Sequence, residues 1–448
     1  MILSESTCRR FALWVGGVFL ATSCATRPIQ WDRWGLGPVP NDYAEELRAR
    51  SATLEDEIFA RHISAEGLLL YRTPIAAPSP NESYLDLADQ ACWTGYLFAA
   101  LCFRYTYEPS PNLAARIRQI SIGLERLQSV TGVPGFIARN IVPARALSQL
   151  EKNRELYELA RDGSGDYFRG ETSKDQYSGY VLGLAVGWTC LPNGDERDRC
   201  GRLLVASARY LAGNDLHLRD ARGARTDFSN LNSHWLGVPI GVNAAIAQAL
   251  LESAAITTSD VDVNAAALRY RAPALAALQG LCYEVPGARK FSNQLMATAG
   301  VISLGLVLGD TEARARVRAG FEPVWRASRG QGNALVYSTG MLFGLRDVDE
   351  EARSLRNLYH ARFGSRSTAI AREIWRDVPR RWLPDTQGRP LAIEALPVAV
   401  RTPSTFCWRT DPFRIDPTNP VPESVRVSGA DLLVAYWMGR YCGWIKAP

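Results

Sequence analysis

The residues whose types and spacing suit chemistry are concentrated at 169–176, where two carboxylates and two cations fall within eight positions. This stretch runs directly into an apolar helical pattern that Asp175 opens. The positive end of a helix favours an ionised carboxylate at its first turn. We therefore expect Asp175 to stay ionised and to suit the role of a general base. Arg169 and Gln176, on either side of it, are expected to contact the substrate.

Asp89 opens the preceding apolar pattern in the same way and is also followed by a glutamine. Two carboxylates on neighbouring helices, about 6.5–9.5 Å apart, suit inverting hydrolysis of a glycosidic bond, in which one protonates the leaving oxygen and the other activates water. Asp89 and Asp175 are the predicted catalytic pair. In the alternative interpretation both side chains only cap helix N-termini and join an ion network.

A second polar group lies at the start of the next apolar pattern. Asn230 and His234 are four residues apart, a spacing that puts two side chains on one face of a helix. A histidine there can exchange protons near neutral pH, or it can simply be a packing residue. Trp93 and Tyr180 lie near the starts of apolar helices and are candidates for stacking on a sugar ring, with core packing as the alternative. Asn293 occupies a similar position one helix later.

Apolar and amphipathic helical patterns alternate along the chain, and they must position these residues. The apolar patterns are 86–107, 175–190, 233–252, 292–308, 333–345 and 431–444, and the amphipathic ones are 42–63, 112–130, 195–212, 261–282, 311–327 and 349–363. The sequence therefore predicts an all-α domain over 42–448, with buried inner helices wrapped by outer helices. Two segments without this rhythm, 131–174 and 373–429, are expected to cover one end of the domain.

This alternation resembles the (α/α)6 toroid of the six-hairpin glycosidase superfamily and of the toroidal polysaccharide lyases. The resemblance implies a substrate pocket at one mouth of the toroid. Enzymes of the glycosidase superfamily carry their acid and base on inner helices and connecting loops, which again implies Asp89 and Asp175. The lyases use an Asn to neutralise a uronate, a His or Tyr as base and a Tyr as acid. Asn230, His234 and Tyr180 match those parts, with Arg139 or Arg169 binding the carboxylate.

Composition excludes several classes of function. Lys and Arg number 51 against 46 Asp and Glu, a net charge of +5 that does not indicate a nucleic-acid partner. The four histidines and nine cysteines have no metal-ligand spacing, and no phosphate-binding or dinucleotide-binding glycine loop is present. We expect neither a metal nor a cofactor.

The N-terminus has the pattern of an export signal. Arg9 and Arg10 precede an apolar run at 11–20, and small residues then lead to Cys24. This ending resembles a bacterial lipobox, which implies a signal peptide over 1–23, a lipid on Cys24 and a membrane-anchored protein of the cell envelope; a plain cleaved signal or an uncleaved anchor is the alternative. Residues 24–41 would then be a tether.

Seven cysteines follow Cys24, and we expect most of them to be buried free thiols. Cys190 and Cys200, on either side of a Pro-Asn-Gly turn, are the most plausible disulfide. The sequence as a whole predicts an exported glycoside hydrolase-like enzyme. The alternatives are a lyase acting on uronate-containing glycans and a non-catalytic envelope lipoprotein that binds glycan or protein.

Overall fold

The computed structural model describes residues 29–75, 84, 87–150 (without the side chain of Gln149), 154–281, 291–361, 374–385, 388–401, 406–415 and 424–448. These residues are mostly helical, so the predicted all-α class is confirmed. The predicted signal segment and Cys24 lie outside the described residues.

Six of the helices are apolar on nearly every face and are buried almost throughout. Their side chains meet other helices on all sides, which explains why the sequence has no polar stripe there. They are α2 (Gln90–Tyr105), α4 (Lys174–Cys190), α6 (Gly241–Ala255), α8 (Phe291–Val307), α10 (Ala334–Leu342) and α12 (Ala430–Tyr441).

The other long helices bury one face and expose the opposite one to solvent. Several begin at a side chain that accepts a hydrogen bond from the first turn, as Ser110 does from the amide of Leu113 at 3.2 Å. They are α1 (Tyr43–Arg61), α3 (Pro111–Ser129), α5 (Asp195–Gly213), α7 (Val261–Leu278), α9 (Thr311–Ala327) and α11 (Val348–Tyr359).

The apolar helices contact one another in chain order: α2 packs on α4, α4 on α6, α6 on α8, α8 on α10, and α10 on α12. The last of them, α12, packs in turn on α2. Each of the first five apolar helices also contacts the amphipathic helix that follows it, and α12 contacts α1. The apolar helices α4 and α8 also contact each other directly.

Glycines allow α2 and α4 to approach closely near their N-terminal ends. A Cβ atom on Gly95 would overlap the carbonyl oxygen of Gly179, and one on Gly179 would overlap the carbonyl oxygen of Cys92. Only glycine leaves room for backbone on backbone at such a crossing. The first turns of α2 and α4, which carry the predicted carboxylates, are therefore held together.

The third apolar helix is shorter than predicted. It begins at Gly241, and residues 233–240 instead form a short hairpin of β7 (His234–Trp235) and β8 (Val238–Pro239). Leu236 has a φ of 48° and Gly237 a φ of 79°, the backbone of a tight turn between two strands. Pro239 lacks an amide donor and disfavours helical backbone at the residue before it, so a helix that began at 233 could not run through this position.

The remaining strands form three small antiparallel sheets. β1 (Arg72–Pro74) pairs with β9 (Val425–Val427). β4 (Tyr167–Arg169) lies between β2 (Asn140–Val142) and β3 (Tyr157–Leu159). β5 (His217–Arg219) pairs with β6 (Arg225–Asn230). The segment between α3 and α4, predicted to lack helical rhythm, thus contains a compact sheet that ends next to the first turn of α4.

Part of the segment expected to be a tether is folded onto the body of the protein. A short 3-10 helix spans Trp31–Trp34, and Trp31 is only 4% exposed. Trp31 and Leu36 pack on a cluster from the C-terminal segment that includes Trp375 and Leu396. Trp31, Trp34 and Leu36 explain this packing, because an extended tether would leave their apolar side chains in water.

The six cysteines among the described residues are free thiols, as expected for most of them, and the candidate disulfide between Cys190 and Cys200 does not form. The sulfur of Cys200 instead packs over Gly187, one turn before Cys190. Cys282 lies outside the described residues. In the part of the chain that the structure describes, none of the helices combines the length and apolar character needed to cross a bilayer.

Candidate functional site

Asp89 is the residue before α2, and its carboxylate is the centre of a polar cluster. Its Oδ2 accepts a hydrogen bond from Nη1 of Arg409 at 2.7 Å, and its Oδ1 lies 3.5 Å from Nη2 of Arg139. It makes no hydrogen bond to the first turn of its own helix, so it does not cap α2. The capping part of the alternative interpretation is therefore wrong for Asp89, whereas its ion-network part describes the contacts of this carboxylate.

The backbone explains where Arg139 comes from. Its carbonyl accepts the amide of Ala91 in the first turn of α2 at 3.2 Å, and its own amide donates to Arg169 of β4 at 2.8 Å. The guanidinium also donates to the carbonyls of Ala88, at 2.5 Å, and Glu171, at 3.0 Å. Arg139 thus ties the start of α2 to the strand that leads into α4.

Gln176 has two functions in the first turn of α4. Its Oε1 accepts the amide of Ser173 at 2.9 Å and the hydroxyl of Ser173 at 2.7 Å, which closes the turn as a capping box does. Its Nε2 donates to Oδ1 of Asp89 at 2.9 Å. Gln176 therefore links the two helices that carry the predicted carboxylates.

Asp175 differs from Asp89 in having no hydrogen bond from its carboxylate to any described residue. Burial and the charge of Asp89 raise its pKa, against the opposing charges of Arg409, Lys174 and Arg139. The direction is opposite to the prediction, because burial and a like charge outweigh the helix N-terminus. A carboxyl group whose pKa is raised is better suited to donate a proton than to act as the ionised base that the sequence predicted.

Side chains on both sides of Asp175 complete the cluster. Lys174 donates to Oδ1 of Asn243 in α6 at 3.1 Å. Beneath the carboxylates, the sulfur of Cys92 lies 4.0 Å from the hydroxyl of Ser178, and burial raises the pKa of this thiol, with further contributions from Asp89 and Asp175. A thiol kept neutral in this way is not a nucleophile.

Arg169 does not join Asp89 directly. It pairs with Glu171, and this hydrogen bond holds the pKa of Glu171 below its usual value. The pair lies next to the cluster because Arg139 bonds to the backbone of both residues.

The aromatic candidates lie in the core. The ring of Trp93 stacks on Phe406 with centroids 4.3 Å apart, and Arg409 lies 5.8 Å from the Trp93 centroid. Tyr180 is completely buried, and its hydroxyl accepts a hydrogen bond from Gln128 at 3.0 Å. Neither ring presents a face on which a sugar could stack, so both positions fit the packing alternative.

The predicted helical pair of Asn230 and His234 is wrong. Asn230 ends β6, and its Oδ1 accepts the amide of Asn232 at 2.9 Å, which is a local turn contact. His234 is exposed in the β7–β8 hairpin, where its Nδ1 lies 3.1 Å from the hydroxyl of Ser233. Asn293 is half-buried in the first turn of α8.

A pocket of about 250 Å³ lies beside this cluster, between the start of α8, the end of α9 and the C-terminal segment. It does not include Asp89 or Asp175. The two sites are connected through residues 406–415: Arg409 reaches Asp89, and Asp411 and Phe413 line the pocket.

Sequence reasoning missed Arg409, which is 320 residues from Asp89 along the chain. A short 3-10 helix, Cys407–Arg409, carries it, and Asp431 of α12 fixes that helix by accepting the amide of Cys407 at 2.6 Å. The one available signal was an arginine excess in the proline-rich segment before the last apolar helix.

Among the described residues, no group of three or more His, Cys, Asp or Glu side chains is arranged to hold a metal ion. No protein-family model matches the chain, and neither a curated protein nor a solved structure matches it.

Proposed function

We propose that the chain is an exported glycoside hydrolase-like enzyme built as an (α/α)6 toroid. The order of helix contacts supports the toroid: the six apolar helices follow one another, the last packs on the first, and each is backed by an amphipathic helix. The active site would lie at the mouth formed by the N-terminal ends of the apolar helices.

The observation that carries the catalytic proposal is the contrast between two neighbouring carboxylates. Asp89 is ion-paired to two guanidinium groups, whereas Asp175 has no hydrogen bond to a described residue and has a raised pKa. Acid–base hydrolysis of a glycosidic bond requires two neighbouring carboxyl groups in different environments, one of which favours its proton.

In the proposed reaction Asp175 donates its proton to the glycosidic oxygen as the bond to the anomeric carbon breaks. The ion-paired Asp89 accepts a proton from the water that attacks the same carbon. The products are the two shortened sugars, and the proton on Asp89 then returns to Asp175 through solvent. Gln176 and Arg139 position Asp89 for this role.

The lyase alternative has less support. It needs a histidine or tyrosine beside an amide at the site, but His234 lies in an exposed hairpin and Tyr180 in the core. Arg139 is already engaged by Asp89 and by two carbonyls, so it is not free to bind a uronate.

Incubation of the full chain with a panel of neutral and uronate-containing glycans tests the proposal. We expect new reducing ends without the ultraviolet absorbance of an unsaturated uronate. Asp175→Asn should lower kcat/KM by about 10²–10⁴-fold, the usual contribution of a general acid. Asp195→Asn is the matched control, because Asp195 also lies in the first turn of a helix but is exposed.

Full activity in Asp175→Asn would remove the catalytic assignment. Absorbance together with reducing ends would indicate elimination instead. If the folded protein is inactive on the whole panel, the binding lipoprotein becomes the better interpretation.

Export and lipid anchoring are a separate part of the proposal, supported by the sequence of residues 1–24. Cys24→Ser should release the protein from the membrane fraction, and the intact mass of the wild-type protein should show acyl chains on a chain that begins at Cys24.

A further inference from the structure

The pocket beside the carboxylate cluster has a lining that combines aromatic rings with open hydrogen-bonding groups. Phe291 and Phe413 supply two rings, and Gln294, Gln331 and Asp411 supply polar atoms. Its volume of about 250 Å³ is smaller than most pockets that enclose drug-sized ligands. The ligand is therefore small, or is one unit of a longer chain.

Two amides define the polar wall of this pocket. Nε2 of Gln294 donates to Oε1 of Gln331 at 3.3 Å. The bond leaves Oε1 of Gln294 as an acceptor and Nε2 of Gln331 as a donor, and neither makes a hydrogen bond to a described residue. Gln294 is only 2% exposed, so its amide is held at depth inside the protein. An adjacent acceptor and donor are complementary to two neighbouring hydroxyl groups.

Asp411 adds a second acceptor. Its Oδ1 accepts the amide of Phe413 at 2.9 Å, which fixes the carboxylate, while Oδ2 makes no hydrogen bond to a described residue. The guanidinium of Arg381, which also lines the pocket, lies over one face of the Phe413 ring, 4.2 Å from the ring centroid. The pocket thus carries one negative and one positive group, which favours an uncharged ligand.

We propose that this pocket binds one neutral pyranose ring of a glycan chain. The apolar C–H face of the ring would lie on Phe413 or Phe291, and its hydroxyl groups would bond to the two amides and to Asp411. This subsite adds a substrate class, neutral glycans, to the proposed function. It rests on the proposed function for one point, that the bound ring belongs to the glycan cleaved at Asp175. The segment 406–415 provides the connection, because it reaches both places.

Titration calorimetry of the full chain with neutral oligosaccharides of glucose, galactose and mannose, and with an oligogalacturonide of equal length, tests the subsite. We expect at least one neutral oligosaccharide to bind saturably and more tightly than the oligogalacturonide. Gln331→Ala and Phe413→Ala should each weaken that binding about fivefold to tenfold, the loss expected for one hydrogen bond or one stacking contact. Both side chains are only partly buried, so both variants should fold.

Trp382→Ala is the matched control, since Trp382 is an aromatic residue that follows Arg381, is 89% exposed and does not line the pocket. It should bind as the wild type does. Saturable binding that Gln331→Ala and Phe413→Ala leave unchanged overturns the subsite, as does the absence of binding to every neutral probe or a preference for the oligogalacturonide.

Asp175→Asn separates the subsite from the catalytic proposal. If it binds normally and is inactive, both proposals stand. If it binds normally and is fully active, the catalytic assignment fails while the subsite stands.

Discussion

The two ends of α2 each carry a cluster of arginines and carboxylates, and the clusters differ in how completely the charges are paired. At the C-terminal end, Glu55 of α1 accepts Arg104 and Arg116, both at 2.7 Å, with only 1% of its side chain exposed. At the N-terminal end, Asp89 holds Arg139 and Arg409, but Asp175 beside it makes no hydrogen bond to a described residue.

The cluster around Glu55 is balanced. Glu108 pairs with Arg48 and with Arg104, and Asp56 pairs with Arg116 at 2.6 Å. Each of the three carboxylates thus contacts at least one guanidinium group. Such a network joins α1, α2 and α3 and pairs every carboxylate with a cation, although Oε2 of Glu55 is buried without a hydrogen bond to a described residue because both guanidinium groups bond to Oε1.

The cluster around Asp89 instead leaves a carboxyl group whose pKa is raised by burial and by a like charge. Because stability alone does not favour such an arrangement, it identifies this end as the better candidate for chemistry. The comparison teaches that ion pairs by themselves do not mark a site, whereas a carboxyl group beside them that has a raised pKa and no cation partner among the described residues is a candidate for chemistry.

The largest effect on stability is expected at the balanced end. Glu55→Ala removes two charge-assisted hydrogen bonds from the half-buried Arg104 and Arg116, which keep Glu108 and Asp56, respectively, as partners. It should lower the free energy of unfolding by about 3–5 kcal/mol, measured by urea denaturation. Asp56→Ala, whose side chain is 69% exposed, should cost less than about 1 kcal/mol.

Catalytic rate per folded molecule should not change in Glu55→Ala, because about 22 Å of helix separates Arg104 from Asp89 at 1.5 Å per residue. A loss of activity as large as that in Asp175→Asn would mean that the two ends are not functionally distinct.

A second prediction concerns the crossing that holds Asp89 near Asp175. Gly179→Ala places a methyl group against the carbonyl oxygen of Cys92, so α2 and α4 must separate. We expect a loss of about 1–3 kcal/mol in unfolding free energy, together with a fall in activity of the molecules that remain folded.

Gly213→Ala is the control for a glycine in a helix, since nothing lies within 4 Å of a Cβ atom there. It should be neutral or slightly stabilising. Equal activity in the wild type and in folded Gly179→Ala would show that the spacing of the two helices does not matter for the chemistry.

Arg409→Ala should sharpen the contrast between the two carboxylates. Removing this positive charge takes away an interaction that lowers the pKa of Asp175, so that pKa should rise further. Activity that needs protonated Asp175 should then persist to higher pH, as a shift of the alkaline limb of the kcat/KM profile. Because the ion pair is partly exposed, the stability cost should be about 1 kcal/mol.

Arg389→Ala, which removes an arginine that pairs with Asp385 at 2.7 Å in the same C-terminal segment, should leave that limb in place. An alkaline limb that moves to lower pH in Arg409→Ala, or does not move, would contradict the assignment of the acid to Asp175.

Local patterns in the sequence predicted a good part of this end of the molecule. The apolar patterns placed α2 and α4, and the repeated Asp-Gln pair indicated that Asp89 and Asp175 occupy equivalent positions. These features are local to one helix turn, where spacing and polarity are sufficient. Gln176, expected to contact the substrate, instead joins the two helices, a contact that no local pattern indicates.

The features that the sequence did not predict depend on contacts between distant segments. Arg409 reaches Asp89 from the far end of the chain, and Phe406 covers the ring of Trp93. The helix predicted at 233–252 begins at Gly241 because a turn and a proline outweigh an apolar pattern. The raised pKa of Asp175 depends on how deeply the side chain is buried, which its position at a helix N-terminus does not indicate.

The smallest predicted effect is the pH dependence of stability in Asp175→Asn. Because the folded state raises the pKa of Asp175, it binds this proton more tightly than the unfolded chain does. Ionised Asp175 therefore disfavours folding at neutral pH, and the penalty disappears as the pH falls through the raised pKa toward the ordinary aspartate value. Asp175→Asn carries no such penalty.

The unfolding free energy of the variant, relative to that of the wild type, should therefore be highest at neutral pH. This relative value should fall as the solution is acidified. Paired urea titrations over this range measure the difference between the two proteins, in which the carboxylates that do not interact with Asp175 cancel. If the relative unfolding free energy of the variant rises on acidification instead, the folded state prefers ionised Asp175. The carboxylates at the two ends of α2 would then not differ in this respect.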